Sequence, residues 1–208
     1  MTRQQIRDVI RVNLADVGIS YYSDAEINSS IQDCYNEVCA KSQCLVKSAT
    51  SLTWRESNYY DFVTLGVTDY LGCIAIFNIL TNQWLRDDLS LRDFDRIRRD
   101  WELWKGQPQF WASHSLQYVA VAPRVAVAIG TYTLWYWAVA PTLSGDSDTP
   151  LIAVDMHDLF EYYCTADLLE TAEEAVKAAA FWKPYEEHLL SYKQRCHELA
   201  KAELLLRI

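Results

Sequence analysis

Apolar residues recur every three or four positions in the first part of the chain, which is the spacing that predicts amphipathic helices. Two stripes follow this spacing within residues 1–44: Ile6, Val9, Ile10 and Leu14, and then Ile27, Ile31, Cys34 and Val38. A capping-box pattern, in which Ser or Thr is followed three residues later by Glu or Gln, precedes each stripe: Thr2 with Gln5, and Ser23 with Glu26. We therefore expect two helices in this block.

Residues 45–140 change to β-branched and aromatic residues in partial alternation, which predicts strands. Polar pairs at Ser57-Asn58 and Thr81-Asn82 predict two hairpin turns. Ser90 with Asp93 predicts the start of one interrupting helix. Apolar residues at helical spacing continue that helix: Leu91, Phe94, Ile97, Trp101 and Trp104. Three further strands are expected after it.

The last block returns to helical spacing after a polar loop at 141–152. Thr171 with Glu174 predicts the cap of a final long helix. Pro184 lies inside that helix, where it predicts either a kink or the start of a new helix.

The expected fold class is α+β, because helical blocks flank a strand-rich block. Helices joined by short turns usually pack antiparallel, so the terminal helices of residues 1–44 and 150–208 are expected to form a discontinuous helical bundle. Residues 45–149 are then expected to be an inserted β-rich domain.

Aromatic side chains are more abundant than a small core needs, at 13% of the residues. Tyr and Trp tolerate half-exposed positions because each carries a polar group, so the surplus predicts large contacts between subunits. We take four residues as candidates for such contacts: Trp135, Trp137, His157 and Trp182. The net charge of −9 argues against a surface that grips nucleic acid through its phosphates, although it does not exclude a protein that DNA passes without sticking.

Three of the eight tryptophans lie within one short segment, "WELWKGQPQFW". Gly106 is expected to end the preceding helix, and Pro108 is expected to begin an extended segment. Trp101 and Trp104 are expected to clamp this corner inside the subunit. Trp111 suits either the subunit's own core or an interface.

The sequence shows little catalytic chemistry, since it lacks the common nucleotide-binding, nucleophile and kinase motifs. Cys34, Cys39 and Cys44 are five residues apart, so the three thiols would fan around the axis of a continuing helix. This spacing favours packed or half-exposed free thiols over a metal site. We therefore predict no catalytic residue, no cofactor and no metal ligand. No apolar stretch reaches the roughly 20 residues that a bilayer requires, so no membrane partner is expected.

The chain ends on four apolar residues and one arginine that follow a long charged helix: Leu204, Leu205, Leu206, Arg207 and Ile208. Chain ends fray unless they are tied down. Two interpretations remain open, namely packing on the chain's own bundle and docking into a groove of a partner protein.

Several segments in this order resemble the head-to-tail adaptor (connector) proteins in the neck of tailed bacteriophages, above all the short-tailed ones. The helical opening ends in "YYSDAEINSSIQDCYNEV", and the strand "YYDFVTL" and the corner "WELWKGQPQFW" follow in the family's order. The most specific segment is "TYTLWYWAVAPTLSGDSDTPLIAVDMHDLFEYY". The resemblance spans most of the chain.

This resemblance implies a structural virion protein of the neck or tail, assembled in the host cytoplasm. Such proteins form a ring, usually twelvefold, beneath the portal vertex. Their helical part, often through the C-terminal tail, docks into the portal, and their β part meets the tail nozzle or fibres. Genomic double-stranded DNA passes through the lumen without sequence-specific binding, and no reaction is catalysed.

Two other classes of function remain as alternatives. One is a small-ligand or metal-dependent enzyme built on the aromatic β domain, with His114 or His157 and nearby carboxylates. The other is a non-viral helical interaction module. A convergent set of polar groups beside a glycine-permitted turn would favour the enzyme, and the sequence does not supply one.

Overall fold

Helices occupy both ends of the chain and strands occupy its middle. The computed structural model describes residues 1–16, 21–87, 89–115, 117–126 and 131–205, without the side chains of residues 51, 53, 131 and 200–205. The described helices are α1 (Arg3–Asn13), α2 (Asp24–Ser42), α3 (Leu91–Ile97), α4 (Asp158–Thr171) and α5 (Ala175–Leu205). This mixture of separate helical and strand blocks confirms the α+β class.

Nine strands lie between α2 and α4 in the described part of the chain. They are β1 (Val46–Thr53), β2 (Tyr59–Asp61), β3 (Tyr70–Asn78), β4 (Gln83–Trp84), β5 (Lys105–Gly106), β6 (Phe110–Ser113), β7 (Tyr118–Ala122), β8 (Arg124–Val125) and β9 (Thr131–Ala138). Two short 3-10 turns complete the elements, Trp101–Leu103 and Val154–Met156.

The chain divides into two compact units. Met1–Leu45 and Val139–Ile208 form a helical unit, and Val46–Ala138 form a strand-rich unit. Residues 139–149, which we expected in the inserted domain, belong instead to the helical unit. Backbone hydrogen bonds explain this difference, because Arg3 and Gln4 donate to the carbonyls of Asp148 (2.8 Å) and Asp146 (3.1 Å).

Local capping determines where the first helices begin. Thr2 and Ser23 each form a reciprocal capping box with the residue three positions later, as the sequence predicts. α2 ends at Ser42 because Gln43 adopts a left-handed conformation (φ 55°), and the Gln43 N–H donates to the carbonyl of Cys39 at 3.0 Å. The predicted apolar stripe of α2 is fully buried: Ile27, Ile31, Cys34 and Val38.

The last two helices differ from the prediction in two details. Thr171 is the final residue of α4 and not the cap of the next helix. Pro184 lies inside α5, so no new helix starts there, and the alternative of a kink stays a prediction. Proline has no backbone N–H, so one hydrogen bond of the helix is missing at Pro184, and tertiary packing outweighs this loss. The rings of Trp182 and Tyr185 flank Pro184, and their centres lie 5.2 and 5.3 Å from the ring centre of Tyr163.

Arginines of α1 form a partly buried ion-pair network with nearby carboxylates. Arg11 pairs with Asp16 at 3.0 Å, and the side chains of both are almost fully buried (7% and 3% exposed). Asp16 also accepts hydrogen bonds from the backbone N–H groups of Tyr21 and Tyr22, both at 3.0 Å. The network therefore ties the segment before α2 to α1.

The strand-rich unit contains three sheets among its described residues. The largest is antiparallel with the strand order β1-β9-β3-β4, the second has the order β2-β7-β6, and β5 and β8 form a short parallel pair. The hairpin predicted at Thr81-Asn82 joins β3 to β4 and is confirmed.

The hairpin predicted at Ser57-Asn58 is wrong. β1 pairs with β9 and β2 pairs with β7, so the segment between β1 and β2 crosses from one sheet to another. Asn58 anchors this crossing, because its carbonyl accepts from the N–H of Val121 (2.8 Å) and its side-chain amide donates to the Val121 carbonyl (3.3 Å). These bonds join residues distant in sequence, which a local turn signal does not reveal.

Candidate assembly interfaces

The tryptophan-rich corner is built differently from the prediction. α3 ends at Ile97, and Arg98 is extended, so the helix does not continue to Trp104. Gly106 therefore does not end a helix, and it lies in β5, paired with Val125. Pro108 follows β5 and is buried.

Two of the three corner tryptophans belong to the core of the strand-rich unit. Trp101 is 5% exposed, its ring lies 5.0 Å from that of Phe94, and its Nε1–H donates to a carboxylate oxygen of Asp95 at 3.0 Å. Trp111 on β6 is equally buried. Trp104 is half-buried, with the guanidinium of Arg98 5.5 Å from its ring centre. Trp101 and Trp111 therefore stabilise the unit itself, whereas Trp104 retains surface.

Trp135 and Trp137 lie on one face of the largest sheet. Residues two apart on a strand share a face, and directly paired residues on neighbouring strands do as well. Trp137 pairs with Val46, and Phe77 pairs with Thr133 and with Trp84. We call the resulting surface the aromatic sheet face; its large members are Val46, Phe77, Trp84, Trp135 and Trp137.

The two faces of β9 have different environments. Tyr132, Leu134 and Tyr136 are buried on the opposite face, whereas Trp135 and Trp137 are only half-buried. The buried face includes the ring of Tyr132, which stacks on Trp54 at 4.3 Å. β9 thus presents one face to the core of its unit and leaves two large rings partly exposed.

Small residues on β3 make room for these rings. A Cβ atom added at Gly72 would lie 3.0 Å from Cε3 of Trp137, so glycine allows this ring to lie close to the sheet. Ala75 pairs with Trp135. Every residue that the described registers place on the aromatic sheet face is uncharged. An uncharged, aromatic surface has the composition of an interface core.

His157 lies inside the helical unit, where only 1% of it is exposed. Its Nδ1 is 2.6 Å from the amino group of Met1, and its Nε2 is 3.4 Å from the carbonyl of Ile152. Burial, and then the nearby positive amino group, lowers the pKa of His157, so the ring is neutral at pH 7. This burial leaves no side-chain surface for a neighbouring subunit, which corrects our choice of His157 as an interface candidate.

Trp182 on α5 is half-buried and packs within its own unit. Its Nε1–H donates to a carboxylate oxygen of Glu170 at 2.7 Å, and its ring meets Tyr163 edge-on.

The residues predicted to dock into the portal lie at the end of the chain. Leu204 and Leu205 belong to α5 without described side chains, and Leu206, Arg207 and Ile208 lie outside the described residues.

The described candidates for an enzyme's polar groups have structural surroundings within their own units. The ring centre of His114 lies 5.0 Å from that of Tyr59. His157 is buried inside the helical unit. The carboxylates of the "GDSD" loop, residues 145–148, are hydrogen-bonded to other groups of the protein. Asp148 accepts from the N–H of Gly145 (2.7 Å), and hydrogen bonds from Arg7 and Arg3 lower the pKa of Asp146. Within the described ranges, no group of three or more His, Cys, Asp or Glu residues has the arrangement of a metal site.

The basic run at residues 92–99 contains local ion pairs. In the basic run 92–99, Arg96 pairs with Asp93 (3.2 Å), and Arg98 pairs with Asp100 (2.7 Å). Two of the four arginines in this run therefore pair with nearby carboxylates. None of the helices in the described part of the chain is both long and apolar enough to cross a membrane.

The family of the protein follows from a comparison over almost the whole chain. Residues 1–201 match the family model described as SU10 adaptor protein. The chain belongs to the SU10 adaptor protein family. A search of curated proteins found no match.

Membership of the SU10 adaptor family confirms the resemblance to phage head-to-tail adaptors. It makes this SU10 adaptor a structural virion component that associates with portal and tail proteins, and it points to a non-enzymatic role. The alternative of a small-ligand or metal-dependent enzyme gains no support from the comparison.

Proposed function

We propose that this SU10 adaptor assembles into a ring in the phage neck, twelvefold as the resemblance implies, and that genomic DNA passes through its lumen. The ring would join the portal vertex to the tail nozzle or fibres after assembly in the host cytoplasm. The observation that carries this proposal is that a member of an adaptor family has a partly exposed, uncharged aromatic surface, the aromatic sheet face.

The aromatic sheet face supplies one side of the proposed subunit interface. A ring uses a heterologous contact, in which one patch meets a different patch on the next subunit. The second patch is proposed at the tryptophan-rich corner, where Trp104 is half-buried and Leu103 is 72% exposed. Each buried Trp contributes about 150–250 Å² of surface, so a few such rings make up much of the roughly 800 Å² that a stable interface buries on each partner.

The charge of the protein supports the role of a conduit. The net charge is −9, and several arginines are held in ion pairs with carboxylates, as Arg11 is with Asp16. Binding to DNA phosphates requires clustered free cations, and like charges repel. A lumen formed by such subunits would let DNA slide without holding it.

The C-terminal helix supports the proposed contact with the portal. α5 spans Ala175–Leu205, and 31 residues of α-helix are about 46 Å long. Residues 204–208, of which 204 and 205 are the last two of α5, are proposed to dock into a groove of the portal protein. Electron microscopy of portal particles mixed with the protein tests this contact.

A charge placed on the aromatic sheet face should prevent ring assembly. We expect Trp137→Glu to reduce the number of subunits bound per portal particle by more than about tenfold, because burying an unpaired carboxylate in an interface costs several kcal/mol. Far-UV circular dichroism and the monomer mass should stay unchanged. Quantitative gels of portal particles purified after mixing measure the bound stoichiometry.

Val63→Glu is the matched control, because Val63 is 56% exposed in the same unit and does not belong to the aromatic sheet face. This variant should bind portal particles at the wild-type stoichiometry. Normal binding by a correctly folded Trp137→Glu variant would contradict the assignment of this face to the subunit interface.

A further inference from the structure

Two cysteine thiols lie side by side at the C-terminal end of α2. The Sγ atoms of Cys39 and Cys44 are 3.9 Å apart. A continuing helix would point these side chains in different directions, but α2 ends at Ser42 and Gln43 takes a left-handed conformation. The chain therefore turns back and brings Cys44 against the last turn of the helix.

The two thiols differ in access and in environment. Cys39 is 1% exposed, whereas Cys44 is half-buried and reachable from solvent. A hydrogen bond from Cys39, supported by others that include one from the Tyr192 hydroxyl, lowers the pKa of Cys44 to about 6. The same hydrogen bond between the two thiols, together with burial, raises the pKa of Cys39. The lowered pKa favours the thiolate form at Cys44, the accessible sulfur of the pair, and thiolates are the reactive form of cysteine.

We propose that Cys44 is a thiol-modification site for small-molecule disulfides, and that Cys39 resolves the adduct into an intrachain Cys39–Cys44 disulfide. The Cys44 thiolate attacks one sulfur of the reagent, forms a mixed disulfide and releases one reagent thiolate. The Cys39 thiol then loses its proton and attacks the Cys44 sulfur, which releases the second reagent thiolate. The two cysteines are oxidised by two electrons, and the reagent disulfide is reduced to two thiols.

The geometry permits this closure with a small movement. A disulfide bond is about 2.05 Å long, so the sulfur atoms must approach by about 1.9 Å from their 3.9 Å separation. Cys44 lies in the short segment between α2 and β1, outside regular structure, so this segment can move while the helix stays in place. The bond would close a loop of only six residues, from Cys39 to Cys44.

The other cysteines are less suited to the same reaction. Cys34, Cys73 and Cys164 are buried, which shields them from reagents in solution. Cys196 on α5 is half-buried, and burial together with the nearby Cys44 raises its pKa. Cys196 is therefore the natural comparison for Cys44, because it is similarly accessible but less ionised.

The test uses the full chain and glutathione disulfide as the reagent. Reduced protein is incubated with the reagent at pH 7, quenched with acid, alkylated and digested, and the products are identified by mass spectrometry. We expect a Cys39–Cys44 disulfide that is reversed by a thiol reductant. In brief alkylation with iodoacetamide, Cys44 should react at least about threefold faster than Cys196, since a larger thiolate fraction outweighs its lower intrinsic nucleophilicity.

Variants separate the two roles. Cys39→Ser, or Cys39→Ala if the serine variant does not fold, should retain a stable glutathione adduct on Cys44, whereas Cys44→Ser should form neither product. Cys196→Ser is the control and should form the disulfide as the wild type does. A disulfide that links Cys44 to Cys196, or a Cys44 that reacts no faster than Cys196, would overturn the proposal. None of these measurements requires the portal, so the result does not depend on ring assembly.

Discussion

Replacement of Trp101 with alanine should destabilise the strand-rich unit by about 3–5 kcal/mol, the usual cost of truncating a large buried aromatic residue. Trp101 packs with Phe94, Ala112, Ala120 and Ala122 in one buried cluster. Its Nε1–H also donates to Asp95. The substitution removes the ring from this cluster and leaves a cavity that small alanine side chains cannot fill.

Trp104→Ala is the matched control for this prediction. Trp104 lies three residues away and is half-buried, so its loss should cost about 1 kcal/mol. Local hydrogen exchange of the β6 and β7 amides is the appropriate measurement, because it reports the stability of the strands that pack on Trp101. Equal losses of protection in both variants would contradict the assignment of Trp101 as the anchor of this core.

Replacement of Asp16 with alanine should destabilise the helical unit by about 3 kcal/mol, because it removes the buried carboxylate partner of Arg11, which keeps only the more exposed Asp24 as an acidic partner among the described residues. Arg11 is 7% exposed and lies 3.0 Å from Asp16. The N–H groups of Tyr21 and Tyr22 lose an acceptor at the same time. Urea unfolding followed by far-UV circular dichroism, which is dominated by helices, measures the change.

Asp155→Ala provides the contrast in the same unit. Asp155 and Arg195 also form an ion pair, at 2.6 Å, but their side chains are 59% and 41% exposed. Exposed pairs contribute between zero and about 1 kcal/mol, so this variant should unfold close to the wild type. If Asp16→Ala were as mild as Asp155→Ala, the Arg11–Asp16 pair would not be a structural anchor.

The sequence was informative where structure depends on neighbours in the chain. The capping boxes at Thr2, Ser23 and Ser90 are local hydrogen-bond patterns, and all three are present. The apolar stripe of α2 likewise identified the residues that α2 buries.

The sequence was misleading where distant residues decide the structure. The helical spacing of Phe94 and Trp101 predicted one long helix, but α3 ends at Ile97. Trp101 lies beyond that end, where it packs on Phe94 and donates a hydrogen bond to Asp95. His157, a candidate for a subunit contact, instead has partners inside its own unit, among them the amino group of Met1. A single sequence does not show such contacts.

The aromatic sheet face was likewise only partly predictable from the sequence. Trp135 and Trp137 were both named from the sequence as interface candidates, and their spacing of two residues on β9 puts them on one face of the sheet. Their neighbours Phe77 and Trp84 come from other strands and were identified only by the strand pairing. The contact between Cys39 and Cys44 was also missed, because the sequence pattern implied a helix that continues past Ser42.

The most direct test of the proposed role is electron microscopy of purified portal particles mixed with the intact protein. The account predicts a closed ring of subunits on each portal, and it predicts bare portals when residues 202–208 are deleted from a chain that keeps its far-UV signal. Portals that remain bare with the intact chain, at concentrations where the protein is folded and in excess, would contradict the account.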